Sequence, residues 1–323
     1  MNHYKHLTID EREKARVMYE MGLSFRAIAR KLNRSPSTIS REFQRNSFKN
    51  GEYAAHYAEK QYRLRRRDCG PKPKVLNPYI REYIMERLKL GWSAEQIAGR
   101  AKLENIGYNF SYVTIYRAVD NGFLPKSAKK LMRFKRHYKK HKPTEKRGTI
   151  QDTVSIRERS EAANNRTELG HWESDTVLGQ RKTGCIATHV ERKTGYLIAF
   201  KMSDNKNKGF TNKTVDIFNQ LPDILRKSFT VDNGTEFTYH KELKERTNME
   251  VFFCDPYSPW QRGTNENTNG LIRYFFPKGS SFSDISDDDL AFVVDLINNR
   301  PRKRFGFKSP AEILTLELLK CCT

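Results

Sequence analysis

The sequence predicts a multidomain protein in which all-α helix-turn-helix domains precede an α/β domain built on a mixed sheet. Three observations carry that prediction. Net charge is +22 over 323 residues, yet residues 1–150 hold 35 Lys and Arg against 14 Asp and Glu, while 151–323 hold 25 against 24. Helix-capping signals recur through the first 121 positions, and β-type segments begin only near residue 170. Length alone favours two or three domains over one.

The charge asymmetry points to a polyanion-binding part beside a near-neutral part with another task. A hydrophobic fraction of 37% is adequate for compact cores. No apolar run approaches the roughly 20 residues needed to span a bilayer, and the N-terminal M-N-H-Y-K-H-L-T lacks the apolar stretch of a signal peptide. No membrane partner and a cytoplasmic, nucleoid-associated location are expected. The five cysteines (Cys69, Cys185, Cys254, Cys321, Cys322) are odd in number and irregularly spaced, unlike a disulfide framework. His137 and His141 have helical i, i+4 spacing but no accompanying C-x-x-C, so they read as part of a basic DNA-facing linker rather than a zinc site.

In residues 1–50, Thr8 caps a first helix with Ala15, Met18 and Met21 on one side and Gly22 at its end. Ser24 caps a second, carrying Phe25, Ile28 and Leu32; Ser35-Pro36 starts a third, with Ile39 and Phe43 inward. The last two, joined by the L-N-R-S turn, match a helix-turn-helix. The N-terminal part of the last helix of that motif enters the major groove. Here it offers Ser37, Thr38 and Arg41, with Gln44 and Arg45 beyond, whose hydroxyl, amide and guanidinium groups suit base edges and phosphates. A basic helix and linker fill 51–74. A second, looser helix-turn-helix is expected over 75–122: Asn77-Pro78 opens a helix with Ile80, Ile84 and Leu88, Ser93-x-x-Gln96 is a capping box, and Ser111 starts a helix carrying Val113, Tyr116 and Val119. Residues 123–165 read as a basic, phosphate-touching linker.

From 166 to 282 the pattern is three strands, a helix, a strand, a helix, a strand and a final helix, a mixed α/β sheet. Asp232 follows the apolar run S-F-T-V and precedes the turn-forming Asn233-Gly234, at a strand's C-terminal tip. Glu266 stands 34 positions later, where a Gly/Asn-rich loop gives way to a helix-like run, and Asp175 lies in the strand H-W-E-S-D-T-V-L. Three acids on separate elements suit hard divalent cations. Mg2+ takes one or two carboxylates plus water and phosphate oxygens, and two ions about 3.5–4 Å apart can serve both oxygens of an in-line displacement. An ordinary turn or cap role for Asp175 is the bland alternative. Tyr257, Trp260 and Gln261 precede Glu266 in a loop suited to DNA, with packing an equal role for Trp260. A C-terminal helical extension covers 283–323: a helix from Asp287 to Asn298, the basic connector Arg300, Arg302, Lys303 and Arg304, and a helix opened by the capping box Ser309-Pro310-x-Glu312. The connector reads as a phosphate contact or an ordinary surface turn.

G-H-W-E-S-D-T-V, F-T-V-D-N-G-T-E-F and P-Y-S-P-W-Q-R-G-T-N-E-N-T-N-G-L-I-R resemble the three catalytic blocks of bacterial DDE transposases of the insertion sequence thirty family. The segment 8–46 and the C-terminal L-I-N-N-R-P-R-K-R-F-G-F-K-S-P-A-E-I-L resemble that family too. The resemblance implies a retroviral-integrase-like, RNase H-like core with a metal-binding triad of Asp175, Asp232 and Glu266. It implies Mg2+, with Mn2+ as substitute and two ions per site, and Arg273, seven residues after Glu266, as the basic residue that holds a DNA phosphate. The expected activity is binding of an element's terminal inverted repeats, metal-dependent cleavage, and strand transfer into target DNA by a homodimer or larger assembly. A DNA-binding regulator without catalysis and a nuclease without strand transfer are the rivals.

Overall fold

Residues 5–70, 72–132, 150–202, 207–256 and 258–321 are described by the structure, a computed structural model. The chain divides into two units, Met1–Pro73 and Lys74–Thr323.

Capping residues set the helices of the first unit. The Thr8 hydroxyl accepts from the Glu11 amide while the Glu11 carboxylate accepts from the Thr8 amide, starting α1 (Ile9–Glu20). Ser24 caps α2 (Phe25–Lys31), and Pro36 opens α3 (Pro36–Asn46), where its missing N–H costs nothing. Ser35 caps by position only; its hydroxyl lies 2.7 Å from that of Ser37. Asn33, at φ 51°, takes the left-handed position of the turn between α2 and α3. Ala15, Ile28, Ile39 and Phe43 form the core. Met21 departs from its expected place there: it lies past the last turn of α1 and is 72% exposed. The basic helix α4 (Ala55–Asp68) is no mere linker, because Tyr53, Ala55 and Ala58 bury in the same core. Buried Arg12 ties it in, its guanidinium donating to Glu42 of α3 and Glu59 of α4.

The second unit opens with α5 (Pro78–Lys89), α6 (Ala94–Leu103), α7 (Tyr112–Asp120) and α8 (Lys126–Leu131), with Asn77, Ser93 and Ser111 as caps of the first three. On α7 the inward residues are Ile115 and Ala118; Val113 and Tyr116, picked out by spacing, are exposed. Helix α8 adds Ala128, followed by Met132, to the same cluster, so packed structure continues past 122 into the segment expected to be linker. His137 and His141 lie outside the described residues.

Strands β1 (Val154–Ser155), β2 (His171–Leu178), β3 (Cys185–Glu191), β4 (Leu197–Met202), β5 (Ser228–Val231) and β6 (Glu250–Phe253) form one sheet in the order β1-β6-β5-β2-β3-β4. The β2–β3–β4 meander is antiparallel, whereas β2, β5, β6 and β1 run parallel. The two-residue β1, preceding α9 (Glu161–Asn165), is too short for alternation to announce it. Crossovers α10 (Asn207–Phe218) and α11 (His240–Thr247) join the later strands, with Phe210, Phe218, Trp172 and Phe229 in the core on one face. Helices α12 (Gly263–Phe275) and α13 (Asp287–Asn298) bring Leu271, Ile272, Leu290 and Ile297 against Val177, Ile186 and Val190 on the other. Strand β3, between β2 and β4, is buried throughout, so its residues do not alternate between buried and exposed.

The last segment, through α14 (Pro310–Cys321), fastens the α5–α8 cluster to the sheet domain. Arg100 forms a two-pronged pair with Glu312 at 2.7 and 2.8 Å, and Gln96 Nε2 donates to the Pro301 carbonyl at 2.7 Å. The ring of Phe307 lies so close to α6 that a Cβ on Gly99 would stand 2.4 Å from it. No helix among the described residues is long and apolar enough to cross a membrane.

Candidate active site

Parallel pairing of β2 with β5 sets Trp172 beside Phe229 and Glu173 beside Thr230. Continuing that register by two residues places Asp175 alongside Asp232, on strands about 4.8 Å apart. Asp232 Oδ1 accepts from the Gly234 amide at 2.9 Å, an Asx turn that orients the carboxylate just past the strand end. Asp175 Oδ2 accepts from Asn269 Nδ2 of α12 at 2.9 Å.

One cation lies between the two acids. Arg262 Nη2 donates to Asp232 Oδ2 at 2.9 Å, and Nη1 stands 3.4 Å from Asp175 Oδ1 while donating to the Ser174 carbonyl at 3.0 Å. Burial works against the Arg262 charge, but Asp175 and Asp232 outweigh it and raise its pKa. Asp175 is pushed upward, first by desolvation and then by Asp232, with Arg262 opposing. Glu236, unremarked in the sequence reading, adds a further negative neighbour: its Oε1 accepts from the Thr176 hydroxyl at 2.9 Å. A Cβ on Gly234 would lie 2.3 Å from the Glu236 carboxylate and 2.8 Å from that of Asp232, so a larger residue there would displace these acids from their present positions. The guanidinium thus occupies the place of positive charge that converging carboxylates demand. Oxygen donors sharing one cation fit a hard metal ion.

Helix α12 begins at Gly263, so Glu266 lies in its first turn rather than at the expected loop boundary. Two asparagines dock this turn. Asn265 donates through Nδ2 to the Glu173 carbonyl at 2.8 Å, and its amide donates to the buried Glu173 carboxylate at 2.9 Å. Arg192 neutralises that same carboxylate. Glu266, Asn269 and Arg273 share the helix face that Asn269 turns toward Asp175. The Glu266 carboxylate is exposed, and among the described residues no three His, Cys, Asp or Glu side chains are close enough to hold a metal ion as placed. Asp175 and Asp232 are therefore brought together, with Glu266 on the adjoining helix and not yet joined to them. Arg273 Nη2 donates to the Leu178 carbonyl at 2.6 Å, at the end of β2; its Nη1 finds no acceptor among the described residues, and burial lowers its pKa.

Gln261 braces the preceding loop, exchanging two hydrogen bonds with Asp255 at 2.8 and 3.0 Å. Trp260 is 73% exposed, which removes packing as its role in this arrangement. Tyr257 lies outside the described residues. On α3, Ser37, Arg41, Gln44 and Arg45 are exposed and Thr38 half-buried, opposite the face that buries Ile39 and Phe43. Arg262 was the main omission of sequence reasoning; its only signal was a basic residue between Gln261 and a helix-starting glycine.

A family model for a helix-turn-helix domain matches residues 3–46, and one for an integrase core domain matches 165–259, a span that includes Asp175 and Asp232 and stops before Glu266. Transposase InsI for insertion sequence element IS30C of Escherichia coli (strain K12) is 41% identical over 322 residues, covering 96% of this chain and 83% of the relative. The transposase for insertion sequence element IS4351 of Bacteroides fragilis is 35% identical, covering 95% of each chain. The transposase for insertion sequence element IS1086 of Cupriavidus metallidurans is 35% identical, covering 96% and 94%.

Proposed function

This chain belongs to the insertion sequence thirty family of transposases, and from that premise we propose that Asp175, Asp232 and Glu266 form its metal-binding triad, with Arg273 as a phosphate-holding neighbour. It is a transposase with a helix-turn-helix domain and an integrase core, a class that works with divalent metal ions and DNA. The observation that carries the site assignment is the pair Asp175–Asp232, side by side on parallel strands and sharing one cationic group. Mg2+, two ions per site with Mn2+ able to replace it, would supply Lewis-acid stabilisation of phosphoryl oxygens and a nucleophile active at neutral pH.

The chain's own residues perform the rest. Asp175 and Asp232 would hold the metal beside the reacting phosphate, in the place that the Arg262 guanidinium now fills. Glu266 completes the oxygen set from the first turn of α12, which Asn265 and Asn269 hold against β2. Arg273 donates through Nη2 to Leu178, and its Nη1 is buried without an acceptor among the described residues, so holding a phosphate would require the side chain to turn outward. In the first step water attacks phosphorus and the bond to the 3′ oxygen breaks, leaving a 3′-hydroxyl at the element's end. In the second, that hydroxyl attacks a target phosphodiester, forming one P–O bond as another breaks. Ser37, Thr38, Arg41, Gln44 and Arg45 would read the terminal repeats from the exposed face of α3. Pairing two ends calls for a homodimer or larger assembly, working at the nucleoid in the cytoplasm.

The test is incubation with Mg2+ or Mn2+, labelled terminal-repeat DNA and a plasmid target, beside Asp232→Asn. Wild type should cleave and join; the variant should lose both, by about 10²–10³-fold, and still bind DNA. Binding without cleavage by wild type would support a regulator, and cleavage without joining a nuclease. Undiminished joining by the variant would remove Asp232 from the site.

A further inference from the structure

The basic connector after α13 has a structural counterpart that the acid site does not use. A cavity of 530 Å3 opens beside α12, lined by Arg166, Arg300, Arg302, Lys303 and Arg304, and among the described residues no acid contributes to its wall. Local pairing covers part of this charge: Lys303 meets Glu95 at 2.6 Å and Arg300 Nε donates to Gln96 at 3.0 Å. Burial and then Arg166 work against the Arg304 charge, with Glu173 and Glu191 in part opposing them, so an anion here would add to that compensation. Arg304 is also packed closely against the turn between β3 and β4. Gly195, at φ +72°, comes so near that a Cβ would stand 2.7 Å from Arg304 Nη2.

The position of the cavity is as informative as its charge. Gly263, Asn267 and Leu271 line it from α12, whereas Glu266, Asn269 and Arg273 occupy the opposite helical face, at 100° per residue. One helix thus separates the acids from the cations, about 10–12 Å across. Among the described residues Leu271 is the sole large apolar side chain in the wall and no aromatic ring lines it. The cavity therefore suits a phosphate backbone and not a stacked base.

We propose that this basin binds the phosphodiester backbone of the DNA being processed, on the far side of α12 from the acids, without reading sequence. The proposal rests on the transposase reading of the acid site. The backbone belongs either to the element's end or to the target duplex, and two arms of one experiment separate these.

Full-length wild type and the Lys303→Ala/Arg304→Ala double variant are titrated across salt with a terminal-repeat duplex, and then, preloaded with that duplex, with an unrelated target duplex. Each phosphate contact contributes about 0.9 to the slope of log K against log salt, so the variant should lose about 1–2 from one of the two slopes. Loss with the terminal duplex assigns the basin to the element's end; loss with the second duplex alone assigns it to the target. Arg304→Lys should keep its share of the slope. If melting shows the double variant unfolded, Arg304→Gln is read the same way, with an expected loss of about 1. Unchanged slopes in a folded variant overturn the proposal. Wild type that binds DNA and joins nothing would sink the transposition chemistry instead, leaving the slopes to judge the basin.

Discussion

Replacing Arg262 by Gln should destabilise the metal-free protein far more than the metal-bound one. The guanidinium lies 2.9 Å from Asp232 and 3.4 Å from Asp175. At an effective dielectric of about 20, each contact represents about 5 kcal/mol of Coulomb energy. Desolvation offsets most of this, and the aspartates, 25% and 24% exposed, feel solvent screening. A net loss of about 2–3 kcal/mol follows, below the 3–5 kcal/mol typical of fully buried pairs. For a unit of this size that corresponds to about 5–10 °C in Tm. Saturating Mg2+ returns a cation to both carboxylates, so the deficit should shrink to about 2 °C or less. The same cycle requires the variant to bind Mg2+ about 30-fold more tightly or better. Calorimetric melting in chelator and in Mg2+, with a Mg2+ titration, measures all of these. Equal deficits in both buffers would refute the view that the guanidinium stands in for the metal.

Two further outcomes test the docking of the C-terminal segment. The bond to Arg100 lowers the Glu312 pKa from 4.5 to about 2, so its stabilisation is present above pH 4.5 and fades as pH falls toward 2. With Glu312 40% exposed, the contribution is about 1 kcal/mol. The stability gap between wild type and Glu312→Gln should therefore close as the solution is acidified, and a gap independent of pH would contradict the pairing. Gly99→Ala gains up to about 1 kcal/mol of helix propensity but drives a methyl into the Phe307 ring, costing about 1–3 kcal/mol. A net loss is expected, and a double-mutant cycle with Phe307→Ala should show the two changes to be strongly non-additive.

What the sequence disclosed was what is local. Thr8, Ser24, Ser93 and Ser111 cap helices through bonds three residues away, and each was legible for that reason. Asp232 announced itself by a strand before it and an Asn-Gly turn after it. Its neighbour was not announced: Arg262 meets Asp175 and Asp232 only because β2, β5 and the loop before α12 converge. Met21 and Tyr116 carry correct helical spacing, yet which stripe faces inward is decided by the partner helix. Asn265 and Asn269 looked like loop residues by composition. Their amides instead bond the Glu173 carbonyl and the Asp175 carboxylate, a tertiary reason for asparagine in a helix that propensity cannot supply.

The clamp on α6 has a consequence in time. Arg100 waits for a partner 212 positions downstream, and Gln96 for one 205 positions downstream. At about 5–20 residues per second of synthesis, the α5–α8 cluster emerges from the ribosome about 10–40 s before Pro301 and Glu312 exist to hold it. Until then the nascent chain carries a helical module and a sheet domain that this seam has not yet joined. Assembly of the second unit is thereby ordered by translation itself, with the closing contacts delivered last.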